Sequence, residues 1–236
     1  RVIELLYEAG MPRDVVQLLP GDGPTVGSVL TSDPRITGVV FTGGTDTAQI
    51  INRALAARDN APLPTLIAET GGMNAMIVDS TALPEQVVVD VIQSAFQSAG
   101  QRCSALRVLY LQEDVADRVI EILKGAMSEL RIGDPRDLGT DVGPVIDEDA
   151  RKGLMEHIEK LKGENRLVAE TPMSAEHTQH GTFVPPVAFT IDSIDALSRE
   201  QFGPVLHIVR YKARELDKVI NDINGRGYGL TFGVHS

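Results

Sequence analysis

The feature that most constrains the fold is an alternation of short apolar runs with longer amphipathic stretches along most of the chain. Thr65-Leu66-Ile67-Ala68, Arg107 to Leu111 and Val205 to Tyr211 are short apolar runs of the kind that strands covered on both faces show. Between them, Pro84 opens a helical stretch that sets Val87, Val88, Val91, Ile92 and Ala95 on one side. Val115 to Leu130 does the same with Val119, Ile122, Leu123, Met127 and Leu130. This order predicts the α/β class, with a mostly parallel sheet and helices on its faces. Further strands are expected at Val15 to Leu19, Ile36 to Phe41, Asn74 to Val78 and Thr231 to Val234. Helices are expected from Arg1 to Ala9, Pro24 to Leu30, Thr47 to Arg58, Asp147 to Leu161 and Glu215 to Asn224. From Lys162 to Thr182 the chain is polar and aperiodic, and the prolines of Val184-Pro185-Pro186-Val187 confine that segment to a sheet edge or a loop.

Charge narrows the partners. With 33 acidic against 22 basic residues the net charge is −11, which repels phosphate backbones, so this segment is not expected to bind nucleic acid directly. No apolar run reaches the roughly 20 residues of a membrane helix, and no secretory leader is recognisable, so no membrane span is expected. A single unpaired cysteine suits a reducing compartment, and the expected location is the cytoplasm. The chain opens in a helix already under way and stops inside a strand, so truncation at both ends is expected.

A lone thiol is either a small apolar core residue or a nucleophile. Around Cys103, Gly100 permits close backbone approach, Gln101 offers amide donors, and Arg102 and Ser104 are polar, which suits a reachable thiol. Glu69 follows the apolar run ending at Ala68 and precedes Gly71 and Gly72, which puts a carboxylate at the carboxyl end of a strand, where open α/β sheets place their chemistry. A solvated turn residue is the plainer alternative. At Thr42-Gly43-Gly44-Thr45, a strand, a glycine turn and a helix start bring together free N–H groups and a positive helix end, which attract phosphate, although most such turns bind nothing. His177 and His180 lack a third ligand, and no metal site is expected.

Together these stretches resemble the aldehyde dehydrogenase superfamily. Glu69-Thr70-Gly71-Gly72 and Phe96 through Gly100-Gln101 to Cys103 match its two best-known motifs in order and spacing. Phe41-Thr42-Gly43-Gly44-Thr45, Gly143-Pro144-Val145-Ile146, Glu200-Gln201-Phe202-Gly203-Pro204-Val205 and Tyr228-Gly229-Leu230 extend the resemblance over nearly the whole chain. Ser98 to Arg107 is most similar to the Δ1-pyrroline-5-carboxylate dehydrogenases, in the form found as the C-terminal part of bacterial proline utilization A. The resemblance implies the second half of a Rossmann-type NAD-binding domain over residues 1–71, then an α/β catalytic domain over residues 72–236. It also implies a flavin-dependent proline dehydrogenase joined in the full chain, and a homo-oligomer when complete.

It further implies roles. Cys103 would attack the aldehyde to form a thiohemiacetal, hydride would pass to NAD, and Glu69 would activate water to hydrolyse the thioester. Thr42, Gly43, Gly44 and Thr45 would meet the cofactor's pyrophosphate. The family often carries serine where Gly44 stands, so backbone N–H groups or Thr45 must make that contact here. Gly71, Glu200 and Phe202 would complete the cofactor site, the latter two at the nicotinamide ribose and ring. Arg102 and Ser104 would help meet the carboxylate of the small-molecule aldehyde, L-glutamate γ-semialdehyde, whose oxidation gives L-glutamate in proline catabolism. The alternatives are another aldehyde dehydrogenase, including one that passes its acyl group to coenzyme A or phosphate, and a catalytically incomplete scaffold.

Overall fold

In the computed structural model, which describes residues 1–59 and 62–236, the strands form one sheet of two and one of six. The chain divides between them into two units, Arg1–Thr70 and Gly71–Ser236.

In the first unit, α1 (Val2–Glu8) is followed by a π-helical turn at Gly23–Gly27 and α2 (Ser28–Ser32). Asp22 caps the turn, its carboxylate accepting from the Thr25 N–H at 2.8 Å. Strand β1 (Gly38–Gly43) runs parallel to β2 (Thr65–Thr70), and α3 (Thr45–Ala56) connects them. Leu55 and Ala48 of α3 are buried, whereas Ile50 is 59% exposed, because a sheet of two strands covers only a narrow stripe of a helix. Arg58 donates to the carbonyls of Thr31 and Ile36, tying α2 to the approach of β1.

Two expectations fail in this unit. Strand β2, expected to be covered on both faces, is largely exposed, with Ile67 at 52%, because its sheet has only two strands. Val15 to Leu19 is not a strand, and Val15, Leu18 and Leu19 are exposed. A strand exists only where a neighbour takes up its N–H and C=O groups, and among the described residues this run has no partner.

The second unit is built on β3 (Ala75–Val78), β4 (Val108–Gln112), β5 (Leu167–Glu170), β6 (Val187–Thr190), β7 (Val205–Tyr211) and β8 (Phe232–His235), in the spatial order β5-β6-β7-β4-β3-β8. Every neighbouring pair is parallel except β5 and β6. Successive side chains of a strand face opposite ways. From β4, Leu109 and Leu111 therefore enter one core with Val87 and Val91 of α4 (Pro84–Phe96), Leu123 of α5 (Glu113–Ser128) and Ile158 of α6 (Glu148–Gly163). Val108 and Tyr110 enter the other with Ile77, Val209 and Val219 of α7 (Leu216–Asn224). Each fully buried aliphatic side chain contributes about 1.5–3 kcal/mol, so the central strands are held from both faces.

Two local expectations change here. The polar stretch from Lys162 to Thr182 contains β5, a half-buried strand of only four residues and too short to carry a period. Pro185 and Pro186 do lie in a loop, but Val187 at once starts β6, an interior strand between β5 and β7.

A pair of histidines links α6 to β7. Nδ1 of fully buried His207 lies 3.1 Å from the Arg107 carbonyl oxygen, which can only accept, so Nδ1 carries the proton and Nε2 is bare. Nε2 of His157, 2.9 Å away, donates to it. Burial, then the neighbouring His157, holds His207 down at about 3, and burial with Lys160 and Arg199 also lowers His157. The unfolded chain takes up the His207 proton near pH 6.5 and the folded chain only near pH 3, so this contribution is complete above pH 6.5 and declines as pH falls through that window. Between pH 7 and pH 5 the expected loss is about 2 kcal/mol. Urea unfolding at the two pH values measures it, and a pH dependence left intact by His207→Gln would show that another group is responsible.

Candidate active site

Helix α4 delivers the cysteine loop. After Phe96 the chain turns through Ser98 and Ala99 in left-handed conformation (φ 56° and 53°) and then Gly100 (φ 64°). Such a run for residues other than glycine stores strain of roughly 1 kcal/mol or more apiece and persists only where the surroundings dictate it. Here they do. A Cβ on Gly100 would lie 2.2 Å from the carbonyl oxygen of Gly203, so two backbones are in direct contact.

Three side chains then hold the loop. Gln101 donates to the Pro144 carbonyl at 3.2 Å and accepts from the Ile146 N–H at 2.8 Å, pinning the loop to the Gly143-Pro144-Val145-Ile146 segment. Asn74, just before β3, donates to the carbonyls of Cys103 (2.7 Å) and Ala105 (2.9 Å) and accepts from the Thr231 N–H. Arg107, just before β4 and 1% exposed, donates to the carbonyls of Gly100 (2.7 Å), Arg102 (3.1 Å) and Gly203 (3.3 Å) and twice to Oε1 of Glu200 (3.0 and 2.9 Å).

Cys103 is exposed on this framework, and among the described residues no acceptor engages the N–H groups of Arg102, Cys103 or Ser104. A reachable sulfur beside an unclaimed backbone donor can form a covalent adduct with a carbonyl carbon and stabilise the oxyanion that results. The sequence expected a reachable thiol at this position. It did not single out Arg107 or Asn74 as holders of the loop. Their signal was present: a charged or amide side chain at the head of an otherwise apolar strand is buried only if its donors are satisfied.

Glu200 and Phe202 lie beside this loop. The Glu200 carboxylate is mostly buried, and its Oε2 occupies the space next to Gly71, where a Cβ would sit 1.8 Å from it. A side chain at position 71 would displace the Glu200 carboxylate from this place. Burial lowers the Arg107 guanidinium, and Glu200, with a smaller contribution from Cys103, opposes that shift. Phe202, 45% exposed, has the Arg107 Cζ 5.1 Å from its ring centroid.

Arg102 and Ser104 share a groove of about 390 Å³ with Asp90, Gln93 and His235, where His235 Nε2 is 3.1 Å from Asp90 Oδ2. The Arg102 guanidinium folds back to the Gln93 carbonyl at 2.9 Å. A larger cavity of about 750 Å³, lined by apolar residues such as Ile77, Leu216 and Phe232, does not include Cys103.

Within the first unit, Thr42, Gly43, Gly44 and Thr45 are all exposed where β1 passes into α3, with Gly44 at the N-cap. Glu69 stands at the carboxyl end of its strand, as expected, within β2 and directly across the parallel ladder from Thr42. The ladder with β1 extends two residues past Ala68 because the glycine turn starts only after Gly43. The carboxylate is exposed and stands at the same end of the sheet as that turn. Among the described residues no three His, Cys, Asp or Glu side chains are placed to share a metal ion, and no helix is long and apolar enough to cross a membrane.

Comparison with known proteins matches residues 1–236 to the model of the aldehyde dehydrogenase family. The bifunctional protein PutA of Klebsiella aerogenes is 57% identical over 99% of this chain, and that of Escherichia coli 54% identical over the same share. The 1-pyrroline-5-carboxylate dehydrogenase of Geobacillus kaustophilus is 36% identical over the whole chain. The crystal structure of a variant of Bradyrhizobium japonicum proline utilization A superposes with a TM-score of 0.94 at 55% identity over 99% of this chain. The chain spans 18% of the length of the first two relatives, 46% of the third and 23% of the crystallised protein.

Proposed function

The chain belongs to the aldehyde dehydrogenase family, and from that premise we propose that it is the segment carrying the nucleophile of an NAD-dependent enzyme that oxidises L-glutamate γ-semialdehyde, formed from Δ1-pyrroline-5-carboxylate, to L-glutamate. The observation that carries this reading is Cys103 itself, an exposed thiol on a loop whose neighbouring carbonyls are held and whose own N–H is unclaimed. The names of the relatives supply the substrate class.

Cys103 Sγ attacks the aldehyde carbon, and the Cys103 N–H donates to the oxygen that becomes negative. NAD, when bound, would supply the acceptor for the hydride that leaves that carbon. Two features of the chain fit such a group. Thr42 to Thr45 present exposed backbone at a helix start suited to a pyrophosphate, and Glu200 with Phe202 and Gly71 offers a carboxylate and a half-exposed ring to a ribose and a flat heterocycle. Glu69 then takes a proton from water, which hydrolyses the thioester and frees the sulfur. Arg102 and Ser104, on their shared groove, are the candidates to meet the substrate's carboxylate. We assign residues 1–71 to the cofactor domain and 72–236 to the catalytic domain. We read the second activity implied by the bifunctional description of the PutA relatives as a proline dehydrogenase joined in the full chain, and propose that the complete protein is a cytoplasmic homo-oligomer.

The test is Glu69→Gln in the full-length enzyme with the semialdehyde. A burst of NADH followed by turnover slowed about 10²–10⁴-fold is expected, with acyl-enzyme detected by mass spectrometry on the Cys103 peptide. Unslowed turnover would remove Glu69 from the hydrolytic step.

A further inference from the structure

All five N–H donors of Arg107 are committed, two to Glu200 Oε1 and one each to the carbonyls of Gly100, Arg102 and Gly203. A guanidinium is planar and rigid, so the groups it binds are held at fixed distances from one another. Two of them, the Gly100 and Arg102 carbonyls, belong to the turn that ends at Cys103. The others, Glu200 and Gly203, belong to the segment carrying Phe202, whose ring lies against the same guanidinium. The head of this fork is itself fixed: the Arg107 carbonyl accepts from the N–H of His207 at 3.0 Å, and the Arg107 N–H donates to the Asn74 carbonyl.

Resting on the function proposed above, we propose that Arg107 is a positioning residue for the reaction: it sets the reactive geometry of Cys103 through the Arg102 and Gly100 carbonyls, and Glu200 anchors it in that role. Glu200 then has two separable tasks. Oε1 orients the fork, and Oε2, on the Gly71 side, is left for a ligand. A lysine keeps the charge of Arg107 but cannot serve four groups in one plane.

The experiment follows alkylation of the Cys103 peptide by iodoacetamide in the full-length enzyme, quantified by mass spectrometry and taken as the limiting rate at high pH, where every thiol is ionised. This readout requires neither cofactor nor aldehyde. Arg107→Lys should lower the limiting rate about tenfold or more. Because that variant alters a buried group, Glu200→Gln and Glu200→Ala form the second arm. The amide oxygen of Gln still accepts from Arg107, so its rate should stay within about twofold of the natural enzyme, whereas Ala should fall about tenfold. A natural rate in Arg107→Lys, or equal rates in the two Glu200 variants, would overturn the proposal. Turnover of the semialdehyde by the natural enzyme is measured separately, so failure of the dehydrogenase reading is distinguishable from failure of this one.

Discussion

Replacing Cys103 with alanine is expected to lower aldehyde oxidation by the full-length enzyme about 10⁴-fold or more while leaving its affinity for NAD unchanged. The size of the effect follows from the chemistry. Hydride leaves readily only from a tetrahedral adduct, and no second thiol exists in this segment to form one. The affinity should hold because the residues proposed to meet the cofactor, Thr42 to Thr45 with Glu200 and Phe202, owe their positions to β1, α3 and Arg107 and not to the sulfur. Steady-state assay with the semialdehyde, beside equilibrium titration with NAD, measures both quantities. Turnover at even a tenth of the natural rate would mean that another group attacks the carbonyl.

The second large effect concerns stability. Gly100→Ala should destabilise the protein by about 3–5 kcal/mol, because the new methyl group meets backbone atoms that cannot swing aside. These are the Gly203 oxygen at 2.2 Å, the Gly203 carbon at 2.5 Å and the Ala95 oxygen at 2.8 Å. The positive φ of 64° adds a penalty of roughly 1 kcal/mol for any residue with a Cβ. In thermal unfolding this corresponds to a midpoint lower by about 10 °C. Gly44→Ala is the matched control, since nothing lies within 4 Å of its Cβ and its φ is −71°, and it should shift stability by no more than about 0.5 kcal/mol. If both variants melted with the natural protein, the Cys103 loop would not be packed against Gly203 as described.

Legibility in the sequence followed the physics of each element. Val205 to Tyr211 reads as a strand and is one, residue for residue, because a central strand covered on both faces is apolar over most of its length. The expected helices at Pro84 and Val115 coincide with α4 and α5, since a buried stripe at helical spacing declares itself locally. Val15 to Leu19 has the same apolar character as a strand, but a run of residues does not say whether a neighbour will pair with it. β5 was silent for another reason: four residues inside a polar stretch are too few to show a period, and pairing with β6 makes them a strand.

At the candidate site the sequence alone determined the chemical inventory: one thiol, a carboxylate before paired glycines, a glycine turn before a helix, and a glutamate and a phenylalanine two apart. Those are properties of short segments, carried by residue type and spacing. What only the tertiary structure decided is how that inventory is held. Arg107 and Glu200 lie 93 positions apart and Asn74 and Thr231 lie 157 apart, yet each pair is joined by hydrogen bonds at the edges of the cysteine loop. Hydrogen bonds act only over a few ångströms, and burying Arg107 or Asn74 is tolerable only when their polar groups find partners, so their roles come into being when β3, β4 and the Glu200–Gly203 segment assemble.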